Sequence, residues 1–442
     1  MNINLYKKSF VLSALLFVSV FFNNVYAQWQ MVKFQDAAYA GYITKGGNLL
    51  LSDYTFDGTG GIYISADAGE TWTKTDAEDH AYNKFYAFGD YIFAIGSNAA
   101  VARTADEGKT WQMVSYADAA KEVLDEGAVE YTVAYAMTEY DGKLFLGDFN
   151  GAGIMYSEDY GETWKRTDIE SLSYTVEDEK GSQTYVENIY QLVSYKGKLY
   201  AFGVLYVFEY NDAGNNWVVM RDDSNFMSQS TIFNGNLYCG RSCPNDEPDA
   251  PFLEMTSDFE TWTMIKGPQE IISKNVRVLY SDDKFIYAAT QDRGAFVYDI
   301  NTGKWYSLCD GYPELYPGDE YLKGLYHAPT QMFSDDEYLY IVLYDFPGSP
   351  SGASGLYRFA KDEITARTPI AEVSADADFL IQDGSIIFPS AGKMEVSVYD
   401  ISGKKVMGGE CRGRLFIGSL DKGVYLFRAV SGDREITGRF AI

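Results

Sequence analysis

Four aspartates, Asp53, Asp148, Asp292 and Asp345, each follow directly on a short run of β-forming residues in four separate parts of the chain. Brought together at strand ends, such carboxylates can hold a cation or the hydroxyls of a sugar. Asp57, Asn150, Arg241 and Arg293 fall in the same kind of turn and complete the candidate ligand-binding set. The same positions suit Asp as a turn cap, because its carboxylate accepts hydrogen bonds from backbone a few residues on.

A second group sets aromatic rings beside carboxylates: Asp76, Glu78, Asp79 and His80, then Tyr312, Glu314, Tyr316 and Asp319, then His327. Ring faces next to carboxylates suit sugar stacking and hydroxyl recognition. With 37 Tyr in the chain, ordinary packing competes with that reading. Two His in all disfavour a His-based metal site or a catalytic His. No cofactor is expected, and a structural or ligand-bridging cation fits the carboxylates. Cys239 and Cys243 frame Gly-Arg-Ser, while Cys309 and Cys411 lie far along the chain. A loop-closing disulfide between Cys239 and Cys243 is expected, with free thiols the alternative.

The elements that position these groups are repeats. Ser65-Ala-Asp67-Ala-Gly69-Glu-Thr-Trp72, Thr104-Ala-Asp106-Glu-Gly108-Lys-Thr-Trp111 and Ser157-Glu-Asp159-Tyr-Gly161-Glu-Thr-Trp164 share one template. Degenerate copies run from Asn211 through Asp212 to Trp217, from Thr256 through Asp258 to Trp262, and from Asp299 to Trp305. Recurrence at a fixed kind of interval means a repetitive fold. An Asp that hydrogen-bonds its own turn, followed by a Gly able to take positive φ, closes a tight hairpin. Before the boxes stand Gly89-Asp90, Asp141-Gly142, Lys196-Gly197 and Asn234-Gly235, each between apolar runs, which read as hairpins. With another alternating run upstream, each repeat holds four strands, the make-up of a propeller blade. A further hairpin around Tyr338 and Leu356 has no Trp after it, whereas Trp29-Gln-Met-Val32 reproduces Trp111-Gln-Met-Val114. The strand after Trp29 is therefore expected to complete the last blade, giving seven.

The repeated template resembles the Asp-box, or bacterial neuraminidase repeat, of β-propellers of the sialidase, sortilin and photosystem-assembly-factor type. That resemblance implies that the boxes are structural and lie on the face opposite the ligand. True sialidases clamp the substrate carboxylate with three Arg, the first in Arg-Ile-Pro, and use a Tyr-Glu pair with an Asp acid/base. No Arg-Ile-Pro occurs here, and Arg221, Arg241, Arg277 and Arg293 form no triad by spacing. Catalytic residues are thus not assigned.

From about Pro369 the pattern changes. Val396 to Val406, Ile417 to Arg428 and Thr437 to Ile442 resemble the C-terminal sorting domain of type IX secretion cargo in Bacteroidota. That implies an export address built as a small β-sandwich. Met1 to Ala27, with Lys7, Lys8 and an apolar run from Phe10 to Phe22, reads as a secretory signal peptide. Its loss removes two Lys and no acid, moving the net charge from −27 to about −29. Such a balance repels phosphate backbones, so nucleic acid is not an expected partner.

The sequence therefore specifies an all-β protein: signal peptide over 1–27, a seven-bladed Asp-box β-propeller over 28–365, and a sorting sandwich over 366–442. No transmembrane segment is expected in the mature chain. It is expected to be secreted or held at the outer cell surface after crossing the periplasm, with the type IX machinery as an export partner. The expected function is binding of an extracellular glycan or protein. An exo-acting glycoside hydrolase and an extracellular assembly factor are the alternatives.

Overall fold

The computed structural model describes residues 28–32, 34, 37–54, 59–178, 181–222, 227–241, 252–268, 275–316, 324–344, 353–364, 379–382, 385–388, 393–400, 403–418, 420, 423–432 and 434–441. The signal peptide, Asp57, Cys243, Asp319 and Asp345 lie outside these residues. The described chain is nearly all strand, with helical turns of three or four residues. Among the described residues no helix is long and apolar enough to cross a membrane.

From Gln30 to Ala360 the strands form seven four-stranded antiparallel sheets, each but the last built from four consecutive strands. Sheet 1 is Ala38–Ile43, Leu49–Tyr54, Gly60–Ser65 and Thr73–Lys74. The innermost strands of the others are Tyr82–Phe88, Ala134–Tyr140, Ile189–Tyr195, Met227–Phe233, Val276–Ser281 and Pro329–Ser334. Each packs against the innermost strand of the next sheet, and the strand of sheet 7 packs on that of sheet 1, so the circuit closes. The molecule is a β-propeller.

Local chemistry explains the sheets. Asp141 and Gly142, Lys196 and Gly197, and Asn234 and Gly235 all have positive φ, in two-residue turns whose twist matches that of the strands they join. In the box turns, Asp67 accepts the Thr71 amide at 2.9 Å, the Thr71 hydroxyl at 2.6 Å and the Ser65 hydroxyl at 2.7 Å. Asp106 and Asp159 repeat this set with Thr110 and Thr104, and with Thr163 and Ser157. Asp258 does so with Thr261 and Thr256, one residue shorter. Gly69 and Gly108 are required twice over. Both have positive φ, and a Cβ would fall 2.1 Å from Val32 and 2.5 Å from Leu50 of the preceding sheet.

One degenerate copy differs from expectation. Asp212 does not cap its turn; its carboxylate lies 4.0 Å from Lys143, and Asn211 and Asn215 make the turn's side-chain hydrogen bonds. Asp299, by contrast, takes the box role, accepting the Asn301 amide and the Thr302 hydroxyl, both at 2.9 Å.

All seven Trp of the chain sit at the outermost strands, one per sheet. Trp217, Trp305 and Trp29 are buried, and Trp72, Trp111, Trp164 and Trp262 half-buried. The indole N–H groups of Trp164 and Trp305 donate to the carbonyls of Val114 and Lys266, just past the outer strand of the sheet before. Trp29 does the same to Leu308 at 2.5 Å, although it comes from the opposite end of the chain. The following strand, Gln30–Val32, pairs with Leu356–Arg358 and completes sheet 7 as expected. Val32, Leu49, Leu51, Phe333, Tyr340 and Leu356 bury the seam between sheets 7 and 1, with Trp72 packed on it.

Beyond the seventh sheet, Lys393–Asp400, Lys405–Arg412, Val424–Ser431 and Arg434–Ala441 make a four-stranded sheet. A three-stranded sheet, Leu380–Gln382, Ser385–Ile387 and Arg414–Phe416, shares its core through Ile386, Phe388, Val396, Phe427 and Phe440. Alternation along Lys393–Val398 sets Met394, Val396 and Val398 inward, as a one-sided sheet demands.

Removal of the Trp29 indole is expected to be among the costliest single changes. Trp29→Ala should lower unfolding free energy by about 3–5 kcal/mol, the range for deleting a buried aromatic, read as a shift in urea midpoint. A loss below about 1 kcal/mol would mean that the first strand does not carry closure. The box carboxylates give a pH signature. Thr71 hydrogen bonds hold Asp67 at about 2, and backbone bonds from Thr261 and Glu260 hold Asp258 at about 2. Each contributes stability that is fully present above the unfolded value of about 3.9 and lost as pH falls toward 2. The Asp67→Asn, Asp258→Asn double variant should show a shallower fall of thermal midpoint between pH 4 and pH 2; an unchanged slope would remove the turns from the acid response.

Candidate ligand site at the channel mouth

Each innermost strand carries the same irregularity. The ladder steps from Ala38↔Asp53 to Ala40↔Ser52, leaving Tyr39 as an extra residue opposite the second strand. The other sheets repeat the step at Asn83, Tyr135, Tyr190, Ser228, Arg277 and Thr330. A bulge adds one residue to one strand, sharpens the local twist and re-aims the side chain. Here it occurs seven times around one axis.

Six of these bulge residues line one cavity of about 370 Å³: Tyr39, Asn83, Tyr135, Tyr190, Arg277 and Thr330. Lys84, Phe149, Gln229, Asn275 and Pro329 complete its wall. The volume lies within the roughly 300–1,000 Å³ of small-molecule sites. The innermost strands begin at this mouth, so the connections that lead into them lie on the same side. The box turns are at the other ends of the sheets.

One arc of the mouth is aromatic. Tyr39 stacks on Tyr54 at 4.7 Å and meets Tyr344 edge-on at 5.1 Å. Phe149 sits 5.2 Å from Tyr135 and 4.9 Å from Tyr190. The Tyr39 and Tyr135 hydroxyls lie 3.4 Å apart and join the two groups. Burial, then the Tyr135 neighbour, pushes the Tyr39 phenol well above its ordinary value, so it stays a neutral donor and acceptor. The rest of the wall brings amides and charge. Lys84 is half-buried with its ammonium 5.8 Å from the Tyr135 ring centre, and burial lowers its pKa to about 8. Arg277 is exposed into the mouth. No Asp or Glu appears among the described lining residues.

The residues expected from sequence at this face stand one strand further out. Asp53, Asp148 and Arg241 end second strands, opposite the first residues of the innermost ones. Asp148 is buried, accepting the Tyr116 hydroxyl at 2.8 Å and the amides of Val133, Asn150 and Ala152. Burial raises its pKa while those donors oppose the shift. Asn150 rides on that turn. Asp53 accepts from Tyr63. Arg241 is buried against Glu254 at 3.7 Å, which also binds Arg221 at 3.1 Å. Asp292 and Arg293 lie side by side, 3.9 Å apart. None of these lines the cavity.

The second expected group is dispersed. Asp76 receives the Trp111 amide, Asp79 pairs with Lys74 at 2.7 Å, and the buried Tyr312 hydroxyl donates to the His327 carbonyl. The bridge expected at Cys239 is not made: Cys239 is a free thiol, buried between sheets 4 and 5 beside Val193, Phe202 and Leu237. Its strand turns the sulfur into that layer, and burial drives its pKa well up. The bulge residues went unrecognised in the sequence. Their trace there is a residue breaking apolar alternation at the second place of each inner run.

No family model matches the chain, and no curated protein matches it in sequence. Solved structures do match in fold. The extracellular domain of BT3049 from B. thetaiotaomicron, described as a hybrid two component system, aligns with a TM-score of 0.51 at 10% identity over 94% of this chain. The extracellular domain of BT4673, described as a one component system of the same organism, aligns at 0.50 and 10% over 94%. This chain spans 57% and 59% of those two chains. YCF48 from Cyanidioschyzon merolae aligns at 0.47 and 14% identity, over 76% of this chain and 99% of that one. The first two likenesses show fold alone: the chain is a β-propeller similar to extracellular domains of B. thetaiotaomicron proteins.

Proposed function

We propose that this is an exported seven-bladed propeller of the Asp-box type, residues 28–365, that binds an extracellular glycan at the mouth of its channel. Residues 1–27 are its signal peptide, and residues 366–442 are a type IX sorting sandwich that directs it to the outer surface or the medium. The observation that carries the binding reading is convergence on one cavity. Tyr39, Tyr135, Tyr190 and Phe149 offer ring faces, while Asn83, Gln229, Asn275 and Thr330 offer hydrogen-bonding groups. Planar faces beside amides suit the two sides of a pyranose, one apolar and one hydroxylated.

The hydrolase alternative has less support. Of the four Arg weighed for a carboxylate clamp, Arg221 and Arg241 share Glu254, Arg293 lies beside Asp292, and Arg277 alone lines the mouth. Nor does a carboxylate stand among the described residues of that lining to serve as acid or base. A protein ligand is the second reading. The hairpin of Ser173–Asp178 and Gly181–Val186, in the connection into Ile189–Tyr195, exposes Val176 and Tyr185 on the mouth side.

Retention of the mature protein on a panel of immobilised glycans tests the first reading, with sugar release scored separately. Tyr135→Ala should weaken retention about tenfold, as loss of one stacking ring would, and leave the unfolding free energy within about 1 kcal/mol of wild type. Release of free sugar would transfer the assignment to the hydrolase. Deletion of residues 366–442 should leave a folded propeller that accumulates in the periplasm. Normal appearance of that truncated protein in the medium would remove the sorting role.

A further inference from the structure

We infer that the ligand of the mouth is an acidic sugar whose carboxylate sits between Lys84 and Arg277. This rests on the reading of the mouth as a glycan site and names the class of glycan it takes. Acids outnumber bases 63 to 36 in this chain, so a basic side chain without a carboxylate needs a reason. Several bases elsewhere in the sheets find one, whereas Arg358 lies against the Tyr338 ring at 4.9 Å. Arg103 is bound to Glu162, Lys143 approaches Glu158, Arg221 and Arg241 hold Glu254, and Lys361 meets Asp282 at 2.7 Å.

Lys84 and Arg277 are different. Neither has an ion pair or hydrogen bond among the described residues, and Lys84 has only the Tyr135 ring beneath it. Both belong to innermost strands, and both line the same cavity. Arg277 is the bulge residue of its strand and Lys84 directly follows one. Tyr39 and Tyr190 both lie within electrostatic reach of Arg277, so the guanidinium and the aromatic arc face a common space. Partial burial of an unpaired ammonium costs free energy, and the arrival of an anion offsets that cost. A guanidinium and an ammonium on a wall whose described residues include no acid make a carboxylate receptor, the guanidinium supplying the bidentate fork.

A peptide carboxy-terminus offers the same anion. The wall favours the sugar, because its described residues are rings, amides, a hydroxyl and the two bases, with Pro329 the one aliphatic side chain among them. An extended peptide would need apolar slots for its side chains.

The test is calorimetric titration of the mature protein with trigalacturonate, 3′-sialyllactose, their neutral counterparts galactotriose and lactose, and a short peptide with a free carboxy-terminus. Wild type is compared with Lys84→Met, Arg277→Met, Tyr135→Ala and the remote control Lys198→Met. One of the two acidic sugars should bind at least tenfold tighter than its neutral counterpart. Lys84→Met and Arg277→Met should each erase most of that difference, leave neutral-sugar affinity unchanged, and in the free protein keep or raise the thermal midpoint. Equal affinity for acidic and neutral sugars, both weakened by Tyr135→Ala, would overturn the inference and leave the glycan site standing. Binding of the peptide alone, lost in both charge variants, would overturn the sugar while keeping the receptor. Binding of no probe would overturn both readings, and a fall in thermal midpoint for Lys84→Met would make that residue structural.

Discussion

Closure of the ring by three residues from the amino-terminal end is the constraint on which the rest of the molecule depends. An open array of sheets leaves two apolar faces in water and unpaired strand edges. Pairing Gln30–Val32 with Leu356–Arg358 buries both faces in one step, and it brings Trp29 into the place that a box Trp fills in every other sheet. The loop closed is nearly the length of the propeller, yet its entropy grows only logarithmically with length. A short strand carrying one large buried ring is therefore enough to hold it.

Once the ring is closed, the inner strands crowd toward the axis, and the bulge in six of them places a residue on the cavity at the mouth. Packing fixes the residues on either side: Ala38 and Ala40, Ala134 and Ala136, and Val276 and Val278 are all buried. The bulge residue between them is released from the ladder, and Tyr39 and Asn83 reach across to neighbouring sheets, Tyr39 to Tyr344 at 5.1 Å and Asn83 to the Ala134 carbonyl at 3.3 Å. Its identity differs from sheet to sheet as Tyr, Asn, Tyr, Tyr, Ser, Arg and Thr. Six of these positions thus contribute to the chemistry of the mouth, and the boxes lie at the opposite ends of the sheets.

That division explains what the sequence discloses. Box turns, paired-residue hairpins and the duplicate of Trp111-Gln-Met-Val114 at Trp29 are short-range patterns in which each residue acts on its own turn, so they can be read directly. Asp299 follows the same logic, and Asp212 departs from it because Asn211 and Asn215 compete for the same turn. Bulges cannot be read that way. They depend on register between two strands, and a one-residue slip exchanges inside for outside. Asp53 and Asp148 looked like mouth residues because they end second strands, yet the residues across the ladder from them, next to Tyr39 and Tyr135, are the ones that lead to the axis. The spacings of 53 residues between Trp111, Trp164 and Trp217 showed that two connections are long. Their contents, two four-residue helices and one hairpin, are too short for periodicity to declare.

Charge is distributed on the same plan. The box carboxylates are hydrogen-bonded by hydroxyls and amides of their own turns, and Arg103, Arg241 and Lys361 are each held by an acid. At the mouth Lys84 has no acid partner among the described residues, and folding leaves a half-buried amine above an aromatic face with its pKa drawn down to about 8. A Met there would pack as well and avoid the desolvation. In a chain otherwise consistent from local turn to global ring, a side chain kept at the expense of stability marks a site retained for something other than folding. The strongly acidic exterior sharpens the contrast. It repels anions over most of the surface, whereas Lys84 and Arg277 make the lining where the inner strands converge locally basic.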